Sequence, residues 1–399
     1  MRATCEPLDT MAGLDPATST TRFLSTRRSL WGWGEALRVT LPAPWPEHVH
    51  LVAQALEGIE VRGDLTGPAR GPLAFAALPF RPDTAAAFVV PALTIGWTPE
   101  GDRWVTRIGD GPRIDPEATP LAVDPQPQRI EVVDEQTAEA WCETVAKATS
   151  RIVAGDLTKV VLARHLRVHA DVPFDVRSIA DLLERAHPHA LRSLVDGVVG
   201  ASPELLVSRM DHVVRAQPMA GTIPRSGDPA VDQRAATELL ASAKNRVEHQ
   251  ITIDALLDAL IGWCSYLDSE PEPHVVEAGP VQHLATMVEG RLSLPAPSVL
   301  ELVAAVHPTP AVGGWPRDRA LALIDELEPA ARGTYAGPVG WVDAYGNGAF
   351  AVGIRSVSVH GTDADLWAGV GVVADSDPLA ELEETRAKFA ATLGSVVRL

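Results

Sequence analysis

Two pairs of side chains in this 399-residue chain are spaced to share helix faces: Asn245 with Glu248, and Glu381 with Glu384. Residues three apart on a helix are neighbours. Two helices that each present such a pair would offer hard oxygen donors to a divalent cation such as magnesium, which keeps several of its waters. Glutamates at this spacing are also common on solvated faces. Lys159 opens the β-branched run KVVLAR at 159–164. A lysine there either snorkels to water or, partly buried with a lowered pKa, serves as a general base. Glu204 follows Pro203 in the tight link GASPE at 200–204. It is either a turn residue or a carboxylic acid kept protonated by apolar surroundings. Gly369 and Gly371 interrupt a strand-like run. They mark a bulge, or a place where a ligand carboxylate rests on backbone N–H groups. Arg355 is either a surface arginine or a fork for a carboxylate. His283 and His307 carry little meaning alone.

These residues need elements to position them. Residues 135–154 set Trp141, Val145, Ile152 and Val153 near one face, with Gly155 at the end, which predicts a helix. Residues 159–168 read as a strand, and 182–187 close a short helix before Pro188. The runs 193–199, 205–208 and 213–218 read as further strands, and 229–264 as one long helix or two. Residues 350–360 and 365–373 alternate like paired strands. Asp377 is placed to cap a helix that opens on Pro378 and runs to about Val397. Strands and helices come in blocks, not in strict βαβ order, which predicts an α+β fold. The first 130 residues are rich in Pro, Ala and Gly, with strand-like runs at 87–95 and 103–108. The stretch 111–128 holds Pro112, Pro116, Pro120, Pro125 and Pro127 and reads as a loop or linker.

Lys plus Arg is 34 against 52 Asp plus Glu, a formal charge of −18. That balance argues against nucleic-acid or anionic-membrane partners, which need clustered cations. An anionic small substrate would need a local basic pocket. A hydrophobic fraction of 46% and a charged fraction of 22% are those of an ordinary globular protein and exclude bulk disorder. Cys5, Cys142 and Cys264 are odd in number and far apart, so neither a disulfide framework nor a zinc site is expected. A reducing compartment follows. The N-terminal residues lack the apolar core of a signal peptide, and the longest apolar run, 85–97, is too short to span a bilayer. The expectation is a cytoplasmic protein.

Taken in order, the segments resemble one family, the chorismate-utilising enzymes, which include anthranilate synthase component I. The series is KVVLAR at 159–164, GASPE at 200–204, QPMAGT at 217–222, ASAKNRVEH at 241–249, VQHLAT at 281–286 and HPTPAVGG at 307–314. It continues with YAG at 335–337, Ile354-Arg355, GVG at 369–371 and PLAELEET at 378–385 followed by Lys388. Each motif is weak alone, but the ordered set is specific. The first 130 residues carry no matching motif. The similarity is greatest to the isochorismate synthase branch. Amine-transferring members have glutamine where Lys159 stands, and Ala220 occupies the place of a nucleophilic lysine in another branch. The run at 307–311 separates the chain from salicylate synthases, which go on to eliminate pyruvate.

The resemblance implies a large antiparallel core of two packed sheets with helices outside, in a single large domain. Residues 131–399 would form the chorismate-binding region and residues 1–130 would complete the same core. It implies Lys159 as the base that activates water and Glu204 as the acid for the leaving hydroxyl. Magnesium would bind Glu248 and Glu384 directly and Glu381 largely through water. Arg355 and Tyr335 would hold the pyruvyl carboxylate, and Gly221, Thr222, Gly369, Gly371 and Lys388 would line the pocket. His283 would sit beside the ring carboxylate. Relatives often have aspartate at the Asn245 position, so its part in the metal shell is in question. Chorismate is the expected substrate, for a monomer without an obligatory glutaminase partner. The sequence leaves open whether the product feeds menaquinone, siderophore or salicylate production.

Overall fold

The strand Lys159–Ala170 is the longest of the described residues and anchors the site. Its first eight residues are all buried, as a strand covered on both faces requires. The computed structural model describes residues 1–8, 15–63, 65–109, 127–279 and 281–397. The proline-rich stretch 111–128 lies outside the described residues, apart from its last two.

Lys159–Ala170 belongs to a 13-stranded sheet. From one end its order runs Ile130–Asp134, Lys159–Ala170, Asp363–Val372, Ser356–His360, Val198–Ser202 and Leu191–Val195. It then continues into strands from the first 110 residues, beginning with Thr21–Leu24, where Arg192 stands opposite Leu24. A nine-stranded sheet is joined in the same way, Pro338–Asp343 pairing with Leu73–Ala77. Among the described residues the ladders are antiparallel except for one, Arg2–Pro7 with Glu60–Arg62. The two sheets pack face to face, with Phe23, Leu30 and Val195 of one against Phe75, Trp341 and Ala351 of the other. The fold is α+β with large antiparallel sheets, as the order of elements predicts. A third sheet of three strands, Met219–Pro224, Val281–Ala285 and His274–Ala278, goes beyond the two-sheet expectation.

Three helices matter for the site. Ala138–Val153 starts one residue after Thr137, whose hydroxyl caps the amide of Ala140, and it buries Trp141, Val145, Ala148 and Ile152. Ala243–Ile261 starts after Ser242, whose hydroxyl accepts from the Asn245 amide. Pro378–Val397 starts after Asp377, whose carboxylate accepts from the Ala380 amide at 2.9 Å. This last helix packs on strand Asp363–Val372 and on helix Ala138–Val153. Among the described residues no helix is long and apolar enough to cross a membrane.

Several boundaries differ from the sequence reading, each for a local reason. The run 193–199 is a hairpin, because Asp196 (φ 52°) and Gly197 (φ 81°) take the left-handed pair that a tight two-residue turn requires. The link 200–204 is mostly strand, since Val198–Ser202 continues through Gly200, and only Pro203 and Glu204 turn. The run 87–95 is two strands in different sheets, Ala86–Val90 and Leu93–Trp97, broken at Pro91, which cannot donate to a ladder. The pattern 229–264 is two helices meeting at Ser242, which leaves the helical region (φ −69°, ψ 109°). The run 350–360 also divides. Gly348–Val352 lies in the nine-stranded sheet and Ser356–His360 in the larger one, and only the latter pairs with Asp363–Val372. Arg355, at φ 53°, sits at this switch between sheets.

Candidate active site

Apart from His307, the candidate residues at 159–388 singled out above converge on one pocket. Its lining includes Lys159, Glu204, Gly221, Thr222, Glu248 and His283 from the first half of that span. From the second half come Tyr335, Arg355, Gly369, Gly371, Glu381, Glu384 and Lys388. The long strand and its neighbour Asp363–Val372 form the floor, the three-stranded sheet one wall, and the helices bearing Glu248 and Glu384 the others.

Lys159 is 1% exposed, so it does not snorkel. Its Nζ lies 2.8 Å from Glu248 Oε1. Burial pushes the Glu248 carboxyl upward, but the Lys159 charge and hydrogen bond outweigh burial and hold it below the usual range. Glu204, 3% exposed, has no such partner. Burial pushes its carboxyl up to about 8, against a long hydrogen bond from the Met219 amide at 3.4 Å and the more distant Lys159 charge. The Ser202 hydroxyl accepts from the Glu204 amide and fixes the turn that presents it.

On the far side, Lys388 Nζ meets Glu384 Oε1 at 2.5 Å and donates to the Gly369 carbonyl at 2.8 Å. Glu381 is pushed up to about 7, by burial first and then by the charge of Glu384. The pocket thus sets four cations, Lys159, Lys244, Arg355 and Lys388, against four carboxyls, two of which are pushed toward the neutral form. A chain of net charge −18 has here a pocket with a local cationic surplus, suited to an anion. Arg355 makes no ion pair within 4.0 Å among the described residues, and burial pushes its guanidinium downward. It is the cation left over for a carboxylate.

Both strand glycines line the pocket. Strand Asp363–Val372 runs in unbroken register, with Gly369 opposite Ala163 and Gly371 opposite Val161, so there is no bulge. Their missing side chains make room for protein groups. A Cβ on Gly371 would lie 3.0 Å from Lys159 Cε and 3.1 Å from Glu248 Oε1, and one on Gly369 would lie 3.0 Å from the Tyr335 hydroxyl. Gly221 (φ 77°) is at a real register shift, against Asn245. Tyr335 stacks on Trp367 (5.9 Å between centroids), which stacks on His165 (4.3 Å). His283 Nδ1 lies 3.0 Å from the Thr222 hydroxyl. Burial, then the charges of Arg355 and Lys388, push its imidazole down to about 3, so it is neutral. His307 is outside the pocket and donates to the Phe80 carbonyl at 2.9 Å.

Among the described residues no group of three or more His, Cys, Asp or Glu closes on one point as a metal cage. The donor chemistry still suits a hard cation. Glu248, Glu381 and Glu384 face one pocket, and the repulsion between Glu381 and Glu384 is what a divalent ion would relieve. Asn245 turns its amide back to the Ser242 hydroxyl at 2.9 Å. Sequence reasoning missed Lys244, Val161, Met219, Ala311, Val312 and Ile354 in the lining. Lys244 was detectable, being four residues before Glu248 on the same helix. The apolar residues carry no signal of their own.

The family model described as chorismate binding enzyme matches residues 113–397. Isochorismate synthase MenF of Bacillus subtilis is 34% identical over 319 residues, 76% of this chain and 68% of that protein. The vibriobactin-specific isochorismate synthase of Vibrio cholerae is 31% identical over 378 residues, 94% of this chain and 90% of that protein. Among solved structures, MenF, the menaquinone-specific isochorismate synthase of Escherichia coli, matches with a TM-score of 0.82 at 23% identity, covering 99% of this chain and 94% of that one. At that identity the likeness concerns the fold.

Proposed function

Because the chain belongs to the chorismate-binding enzyme family, we propose that it isomerises chorismate to isochorismate, with magnesium held by Glu248, Glu384 and, largely through water, Glu381. The observation that carries this reading is the placing of two buried groups in one pocket: Lys159, and a Glu204 carboxyl pushed up to about 8. The reaction adds water at C2, shifts the ring double bond and expels the C4 hydroxyl. Water is a weak nucleophile, and Lys159 is assigned the part of taking the proton that water loses. Hydroxide is a poor leaving group, and Glu204, still protonated near neutral pH, would supply the proton that lets it depart as water. Proton transfers of this kind contribute about 10²–10⁴-fold each. One water enters and one leaves, so the atoms balance.

The remaining residues would hold the substrate. Arg355 has no internal carboxylate to satisfy it, and the Tyr335 hydroxyl faces the same pocket. Together they suit the pyruvyl carboxylate. Neutral His283 can exchange a hydrogen bond with the ring carboxylate or leaving hydroxyl without adding charge. Magnesium, when bound, would neutralise the ring carboxylate and fix its plane. Incubation with chorismate and magnesium, followed by product identification, tests the reading. Isochorismate is the expected product. Salicylate with pyruvate would make the chain a lyase, and no turnover would leave a binding protein.

A further inference from the structure

We propose that the buried ion pair Glu328–Arg332 is a positioning clamp for the active site, standing in for a strand that the long sheet lacks beside Lys159. The inference rests on the reading of this pocket as catalytic. Along its outer edge, Lys159–Ala170 pairs with Gly314–Trp315 at residues 159–160 and with Ile130–Asp134 at residues 166–170. Between them the strand edge has no strand partner. Arg332 and Glu328 fill that gap. Arg332 Nη2 donates to the Val161 carbonyl at 2.7 Å, and the Ala163 amide donates to Glu328 Oε1 at 2.8 Å. The guanidinium meets the Glu328 carboxylate through Nε at 2.9 Å and Nη2 at 2.5 Å. Both side chains are nearly sealed from water, at 2% and 3% exposure.

The same guanidinium reaches a second wall. Its Nη1 donates to the Val312 carbonyl at 2.8 Å, and the Phe80 ring lies 4.3 Å from its centre. Val161 and Val312 both line the pocket, and Val161 is two residues from Lys159. One side chain therefore fixes the strand that carries the base and the loop that faces the substrate. Arginine is required because only its planar fork can serve Val161, Val312 and Glu328 at once. Of the groups assigned to the substrate carboxylates, Arg355 and the two glutamate-bearing helices lie on other elements. Tyr335 is tied to the clamp segment by its amide donating to the Arg332 carbonyl at 3.0 Å, a backbone bond that does not depend on the guanidinium. Loosening the clamp should therefore misplace the base while leaving substrate capture largely intact.

Arg332→Lys keeps the charge and loses the fork. A misplacement on the order of 1 Å can cost about 10²-fold, so kcat per folded enzyme is expected to fall about 10–100-fold, with KM within about threefold. Hydrogen exchange at the Ala163 amide should quicken about tenfold or more, because the Glu328 acceptor is freed from its anchor. Asp343→Asn is the control. It weakens another buried polar cluster, around Ala69 and Asn347, and should lower Tm without changing kcat or KM. Unchanged kcat in Arg332→Lys, or quickened exchange with wild-type kcat, would reduce the pair to an ordinary stabilising contact and overturn the clamp. If the unmodified enzyme leaves chorismate untouched, the functional reading fails, and exchange at Ala163 still decides whether the pair holds the strand: unchanged protection overturns it.

Discussion

Glu204 and Glu248 face the same pocket, the first buried and the second partly exposed at 17%, both within the field of Lys159, yet their carboxyls are driven in opposite directions. Glu248 touches the lysine at 2.8 Å and is held in its charged form. Glu204 feels the lysine only at a distance, and burial wins. Desolvation acts on a carboxyl wherever it is buried, whereas a cation rescues the charge only at hydrogen-bond range. One side of the pocket is therefore built to hold charge and the other to hold a proton. A reaction that needs a base and an acid at once is served by such a division.

The largest effects should come from breaking the charged side. Glu248→Ala is expected to reduce magnesium-dependent turnover to the level seen in excess chelator, and Glu384→Ala to do the same, since each removes a proposed direct ligand. Full activity of the unmodified enzyme in chelator would end the metal assignment. Lys159→Ala should lower kcat about 10²–10⁴-fold, with chorismate still bound in calorimetry. It should also turn Glu248 into a second Glu204. Removing one partner of a buried ion pair costs about 3–5 kcal/mol when the other stays charged, so the Glu248 carboxyl should rise toward neutrality. Near-normal kcat would mean that another group activates water.

The protonated side is tested by pH. Glu204 must carry its proton to act, so kcat should fall as pH rises through about 8. The stability effect has a definite sign. The folded pKa is raised from an ordinary 4.5 to about 8, so between these values the native state holds more protons than the unfolded chain. Stability from this group therefore declines as pH rises across that window and is lowest above it. Glu248 runs the other way: its contribution is present above the ordinary carboxylate range and is lost as pH falls below it. Glu204→Gln should remove the alkaline limb of the rate profile together with most turnover, and flatten the decline in Tm between about pH 5 and 8. A Tm profile identical to wild type would mean that Glu204 is not held neutral by the fold.

Much of this site was legible before the fold was, because its chemistry rests on motifs a few residues long. The cap at Asp377 needs only local sequence, and it sets the helix that aims Glu384, whereas the pattern around Ser242, which caps the helix of Glu248, reads equally as one helix or two. What escaped was information that appears only when distant segments meet. The switch of sheets at Arg355 breaks no local pattern on the strand 350–360, yet it decides where that guanidinium points. The role of Gly371 depends on Lys159 and Glu248 arriving from elsewhere in the chain. Glu328 and Arg332, at helical spacing, look like any surface pair, and their use appears only against the open edge of a strand about 170 residues away.

The smallest expected effect concerns the amide between the two sides. Asn245 lines the pocket three residues before Glu248, and its Nδ2 donates to the capping Ser242 hydroxyl at 2.9 Å. Asn245→Asp would place a further negative charge near Glu248, Glu381 and Glu384. That charge would attract a cation and, with no cation bound, repel an incoming dianion. The cap itself should survive, since the Ser242 hydroxyl can donate to a carboxylate, and an acidic residue in the first turn of a helix is favoured by about 0.3–1 kcal/mol. The variant should therefore melt near the wild-type temperature. Its half-saturating magnesium concentration should fall a few-fold, with little change in the rate at saturation, because the side chain is assigned to neither the attacking water nor the leaving hydroxyl. Titration of magnesium at fixed chorismate in both forms measures this. Identical midpoints would show that Asn245 serves only the helix cap, and that the charge needed on that side of the pocket is already supplied by the three glutamates.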